Sequence, residues 1–177
     1  MEFQLCHDII QQLKELGFRI NWTLLKIGYE GQTYLPKLIS IDNILQYAEC
    51  LMETMKSGYE SIVQLIISKD EMEFQDELEK LVMSETVNVS IQQRKLRVYV
   101  VQTALENLPA DYLNGLFELN DLWVSLGLPN DCPHIIQGRD NLYTPQEYYT
   151  QAVFDLLLAK NKQWVLDEIK AIRALDN

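Results

Sequence analysis

Ser40-Ile-Asp-Asn-Ile-Leu-Gln-Tyr-Ala-Glu-Cys-Leu-Met-Glu-Thr-Met55 decides the fold. In it Ile41, Ile44, Leu45, Ala48, Leu51, Met52 and Met55 recur three and four residues apart without a miss, the spacing of one face of an α-helix. Ser40 stands where an N-cap is needed, and Ser57-Gly58 closes the pattern.

The same rhythm extends in both directions. Upstream, Leu5, Ile9, Leu13 and Leu16 share a face, and Gly17 can take the left-handed conformation that ends a helix. Phe18–Ile20 reads as a short extended link. Asn21 can cap a short helix carrying Trp22, Leu25 and Tyr29, which Gly28 and Gly31 are expected to break. A Pro-containing connection, Thr33–Leu38, follows. Downstream, Ile62, Val63, Ile66 and Ile67 mark a short buried helix. Ser68-x-x-Glu71 and Ser90-x-x-Gln93 have the form of capping boxes. They open helices carrying Phe74, Leu78, Leu81 and Val82, and then Val98, Tyr99, Val101, Ala104, Leu105 and Leu108. Pro109 closes the second of these. Asp111 is placed to cap a helix with Tyr112, Leu116, Leu119, Trp123 and Leu126 in phase. Thr144-Pro145-Gln146-Glu147 combines a cap, a proline at the first helical position and a glutamate three residues past the cap, the strongest helix start in the chain. From there the pattern runs through Tyr149, Val153 and Leu157, softens near Asn161 and resumes with Trp164, Ile169 and Ile172.

No strand-type alternation interrupts this series. The expected fold is all-α: one domain over 1–177, a helical bundle or a short stack of helix pairs, with one long irregular loop. That loop is Gly127–Tyr143, whose prolines, glycines and Asn130-Asp131 pair defeat helix propagation. Long connections inside compact domains are uncommon and often functional. This one holds the densest chemical variety in the chain, with Asp131, His134, Gln137, Arg139, Asp140, Asn141 and Tyr143 as candidate binding residues. Its structural alternative is a plain connector, in which Ile135 and Ile136 tuck under the helices, Gly138 supplies a positive-φ turn and Asn141 caps it.

Hydrophobic residues are 47% of the chain and the net charge is −11. The hydrophobic fraction is that of a globular protein. The charge disfavours attraction to nucleic acid or to an anionic membrane and suits a basic protein partner. Met1–Cys6 runs straight into His7 and Asp8 with no apolar signal segment, and no apolar run is long enough to span a bilayer. Cys6, Cys50 and Cys132 are odd in number and far apart, which reads as free thiols in a reducing cytoplasm.

Complete catalytic or metal motifs are not evident. Cys132-Pro133-His134 offers two ligands where a structural zinc site needs four, so neither metal nor cofactor is expected. His134 has the intrinsic pKa for proton transfer, but no partner follows from spacing, and a half-buried histidine bonded to a backbone carbonyl is the favoured reading. Asp70, Glu73 and Glu77, with Asp76 beside them, share a helix face that is either solvated or a docking surface for a basic protein. Arg94, Lys95 and Arg97 form too small a basic cluster for nucleic-acid binding; internal pairing with carboxylates is expected. Trp123 and Trp164 read as core.

Several strings carry a resemblance: Gly17-Phe18, Asn21-Trp22, Gly28-Tyr29, Tyr47-Ala48, Arg94-Lys95, Asn114-Gly115-Leu116 and, most specifically, Pro133–Gly138 leading into Thr144–Tyr149. Together, from Phe3 to Glu168, the chain resembles a family of small bacterial proteins known only as a domain of unknown function. The family supplies no reaction and no catalytic residue. Small acidic proteins of this kind are similar to the immunity partners of bacterial toxin systems, which implies action by binding. Two hypotheses follow. One is a non-enzymatic protein-binding module of the immunity type, using the 127–143 loop, the acidic face at 70–77, or both. The other is a small enzyme or ligand-binding protein with His134 as acid-base group, Arg139 as anion clamp and Asp131 or Asp140 orienting them.

Overall fold

The computed structural model describes residues 9–176. Among these the regular structure is entirely α-helical, the one β-type pairing being an isolated bridge between Gln32 and Leu35. The all-α expectation is met. Leu5, Cys6 and His7 lie outside the described residues.

The chain divides into two compact units, the boundary falling between Arg94 and Lys95. The first contains α1 (Ile9–Glu15), α2 (Trp22–Glu30), α3 (Ile41–Thr54), α4 (Glu60–Ile66), α5 (Glu71–Met83) and the opening turns of α6 (Val89–Glu106). The second contains the rest of α6, then α7 (Tyr112–Ser125), the single turn α8 (Pro145–Tyr148) and α9 (Gln151–Leu175).

In the first unit α5 packs on α2 and α4, and α3 packs on α4. Leu24, Leu25, Ile44, Ala48, Leu65, Phe74 and Leu78 are buried there. Asn21 caps α2 and Ser40 caps α3, the latter in a full box with Asn43. Gly28 does not break α2. It lies buried inside the helix, where an added Cβ would collide with the Ile39 side chain. Its carbonyl accepts the N–H groups of both Leu38 and Ile39, at 2.7 and 3.0 Å. The break comes at Gly31, at φ 72°. Ile67, expected inside, is exposed.

Two helix starts differ from the expected boxes. At α5 the cap is Asp70, not Ser68: its carboxylate accepts the Glu73 N–H at 2.9 Å, and Glu73 reaches back to the Lys69 N–H at 2.7 Å. Glu73 meets the N–H one residue before the cap, so the reciprocal box is not formed. Ser68 instead donates its hydroxyl to the Gln64 carbonyl. At α6 the helix begins before Ser90, and Asn88 Oδ1 accepts the Ser90 and Ile91 N–H groups at 2.9 and 3.4 Å. A more distant cap serves α2. The Glu85 carboxylate accepts the backbone N–H of Trp22 and of Thr23 and the Thr23 hydroxyl, at 2.9, 3.0 and 3.0 Å. An acidic group at a helix N-terminus also opposes the positive end of the helix dipole.

In the second unit Leu116, Leu119, Tyr148, Phe154 and Leu157 form one buried cluster. The Phe154 ring of α9 lies against the α7 backbone at Gly115, where an added Cβ would strike it. Thr144 opens α8 with the expected capping box, but the helix stops at Tyr148. The next helix, α9, then runs unbroken through Asn161. Asn161 is fully buried; its Nδ2 donates to the Leu157 carbonyl at 2.7 Å and its Oδ1 accepts the Trp123 indole N–H at 2.6 Å. The softening expected there does not occur, because one bond within α9 and one to α7 satisfy both ends of the amide.

Candidate functional site

The loop from 127 to 143 is irregular in backbone yet pinned from below. Asn141 holds its far end. The amide Nδ2 donates to the carbonyls of Ile136 and Arg139, each at 2.6 Å, and Oδ1 accepts the N–H groups of Gly138 and Tyr143 at 3.3 and 3.2 Å. Gly138 at φ 74° and Asp140 at φ 56° make the turn that Asn141 closes. Gln137 Nε2 donates to the Tyr143 carbonyl at 2.9 Å. Gly138 and Asn141 thus behave as the sequence reading expects of a structured turn.

The middle of the loop is held by His134, which is buried rather than presented. Its Nε2 lies 2.8 Å from Asn120 Oδ1 on α7 and 3.4 Å from the Tyr148 hydroxyl. The tautomer follows from proton counting. Tyr148 has a single hydroxyl proton, and its shortest bond, 2.7 Å, is the one donated to the Ile135 carbonyl. Asn120 Oδ1 can only accept, so His134 Nε2 carries the proton. Nδ1 is then a buried lone pair, and no hydrogen-bond partner faces it. A second proton there would place a charge in apolar surroundings without an acceptor. Burial accordingly lowers the His134 pKa from 6.5 to about 4, and burial likewise pushes the Tyr148 phenol up to about 12. At neutral pH both groups are uncharged structural members. The expected bond to a backbone carbonyl is replaced by one to the Asn120 side chain.

Asp131 anchors the near end. Its Oδ2 accepts from Arg97 Nη2 at 2.6 Å and from the Trp164 indole N–H at 3.3 Å. The Arg97 guanidinium also lies 3.5 Å from Glu168 and stacks over the Trp164 ring, 5.3 Å from its centroid. The internal pairing expected for Arg97 is therefore present. Trp164 is half-buried, edge-on to the fully buried Trp123 with centroids 5.1 Å apart.

The thiol and imidazole of Cys132-Pro133-His134 serve different partners. Cys132 Sγ donates weakly to the His134 carbonyl at 3.7 Å, and burial pushes its pKa up. Among the described residues no three His, Cys, Asp or Glu side chains gather as they would around a metal ion. Arg139, Asp140 and Tyr143 are exposed at the loop's outer edge, where Leu142 is 98% exposed. The candidate loop residues thus separate into two groups. His134, Asn141 and Gln137 tie the loop down, and Asp131 does so while remaining exposed. Arg139, Asp140 and Tyr143 face outward.

The acidic face on α5 is also partly engaged in structure. Asp70 caps the helix, Glu73 accepts the Lys69 N–H, and Glu77 pairs with Lys80 at 2.6 Å. Asp76 is exposed, as are Met72 and Met83 on the same helix. Among the described residues no helix is long and apolar enough to cross a membrane.

With this geometry in view, comparison with known families is decisive on one point. The chain belongs to DUF2247, a family described as uncharacterized protein conserved in bacteria. The DUF2247 match runs over residues 10–169, so it includes α7, the pinned loop and most of α9. Searches of curated proteins and of solved structures gave no match.

One feature of the site has no signal in the local sequence. Asn120 lies among α7 residues that read as ordinary helix surface, yet its amide is the partner of His134. Only the approach of residues 14 apart in sequence reveals it.

Proposed function

We propose that this DUF2247 protein is a non-enzymatic protein-binding module of the bacterial cytoplasm, with the 127–143 loop forming part of its contact surface. The observation that carries the reading is the pinned loop with Leu142 98% exposed at its edge. A pre-ordered loop that displays Leu142 beside Arg139, Asp140 and Tyr143 suits a contact surface, because the ordering cost is met before binding. Arg139, Asp140 and Tyr143 beside it supply polar and aromatic contacts of the kind that give specificity. The neutral, buried state of His134 weighs against the alternative reading, in which it would exchange protons with a substrate.

The finer reading is an immunity-type inhibitor that binds and blocks a bacterial toxin. The net charge of −11 supports a basic partner. Asp76 and its neighbours on α5 are a second, separate contact candidate. The test is site-specific photo-cross-linking from position 142 in the native host, with position 76 as the second probe. A discrete cross-linked protein is expected, and co-expression of this chain with that protein is expected to restore growth if the partner is a toxin. Repeated failure to cross-link any protein from either position removes the proposal.

A further inference from the structure

The exposed side of α7 carries apolar residues that its own unit does not cover. Leu113, Phe117 and Val124 are 38%, 46% and 55% exposed. Their spacing of four and seven residues puts them within one narrow stripe, since each residue turns the helix by about 100°. Leu116, Leu119 and Trp123, roughly a third of a turn around the helix from this stripe, pack inward. Beside the stripe, ring contacts lead inward from the helix. The Phe117 ring lies against Tyr149, centroids 5.2 Å apart; Tyr149 meets Tyr148 at 5.0 Å, and Tyr148 meets Tyr143 at 6.1 Å. These ring contacts pass through Tyr148, which is fully buried, so they tie α7 to the loop beneath the surface.

The charge around this surface is one-sided. Between Arg97 and Lys160 the sequence has one strongly basic residue, Arg139, against eight carboxylates. Glu118 and Asp121 on α7, Asp140 in the loop and Glu147 on α8 are all exposed.

We infer that the exposed face of α7, flanked by Tyr149, docks a basic amphipathic helix of a partner protein. The inference rests on the protein-binding reading and adds the surface and the chemistry of what it takes. Apolar anchors on such a helix would cover Phe117 and its neighbours, while Lys and Arg beside them would meet the acidic rim. Charge decides between occupants. A second copy would bring its own carboxylates against this rim, and anionic lipid or nucleic acid would be repelled.

The test titrates the isotope-labelled full chain with two synthetic helical peptides that share one leucine pattern, one filled with lysine and the other with glutamate, and follows backbone amide shifts. The lysine peptide is expected to shift amides of α7 and of Tyr149, and the glutamate peptide is expected to shift none. Phe117→Ser, and independently Val124→Ser, are expected to weaken the lysine peptide about tenfold while the chain stays folded by circular dichroism. Absence of lysine-peptide binding, shifts centred on α5 instead of α7, or unchanged affinity in both variants overturns the inference. Concentration-dependent α7 shifts without peptide overturn it as well, by placing a second copy there. Each of these results leaves the cross-linking test of protein binding standing, so the two readings fail separately.

Discussion

Asn161 joins α9 to α7 through a single amide: Oδ1 accepts the Trp123 indole N–H at 2.6 Å while Nδ2 donates to the Leu157 carbonyl at 2.7 Å. Both residues are fully buried, so neither group has water as a substitute partner. Asn161→Ala leaves a buried indole N–H unpaired and opens a small void. It is expected to cost about 2–3 kcal/mol, read as a lower urea midpoint with an unchanged slope.

His134 makes stability depend on pH with a defined sign. Burial lowers its pKa from 6.5 to about 4, so between these values the unfolded chain binds the proton and the folded chain does not. The stabilisation is complete above about pH 6.5 and is lost as pH falls through about 4. The loss is expected to reach up to about 3 kcal/mol. His134→Gln removes a titrating group from both states. The difference in unfolding free energy between the two proteins, measured from pH 7.5 to 4, should shrink toward the acid end. A difference constant with pH would show that the imidazole is not held neutral.

Glu85 caps α2 from 62 to 63 residues away, through the Trp22 N–H, the Thr23 N–H and the Thr23 hydroxyl. Glu85→Ala unpairs several part-buried donors at once and is expected to destabilise by about 1–2 kcal/mol. Glu85→Gln keeps one acceptor oxygen and should recover part of the loss. Hydrogen exchange at Trp22 and Thr23 gives the local readout, with faster exchange expected in Glu85→Ala.

The Arg97–Asp131 pair, 2.6 Å apart, fixes the loop where it leaves α7. Asp131 is substantially exposed, so solvent screening keeps the net contribution to about 0.5–1 kcal/mol. Asp131→Asn should therefore change global stability little, yet speed amide exchange from 130 to 134. An equal effect on exchange throughout the second unit would assign the pair a global role instead.

The sequence declares its helices where one capping residue stands alone before an apolar rhythm, as at Asn21, Ser40, Asp111 and Thr144. It misleads where capping types crowd together. Ser68 and Asp70 both precede the same pattern, as do Asn88 and Ser90, and only the extended backbone of Asp70 (φ −149°, ψ 174°) shows which takes the role at α5. Gly28 and Asn161 are misread for a different reason. Intrinsic propensity disfavours both in helices, whereas close packing requires the one and a buried hydrogen bond employs the other.

The loop is legible as an interruption, and its Gly138–Asn141 turn follows from local chemistry. The position of His134 is not legible, because its partners Asn120 and Tyr148 each lie 14 residues away. The exposed stripe on α7 is hidden too. Leu113, Phe117 and Val124 merely add apolar residues to a helix already supplied with an inward face, and periodicity alone does not say which face is covered.

The shared amide of Asn120 has an evolutionary corollary. One amide oxygen accepts from the His134 imidazole at 2.8 Å and lies 3.1 Å from the Tyr148 hydroxyl on α8, whose proton goes to the Ile135 carbonyl. Exchange of any one member leaves the other two mismatched, so substitution effects there are non-additive. Related chains should therefore replace Asn120, His134 and Tyr148 as a trio, with intermediate combinations selected against.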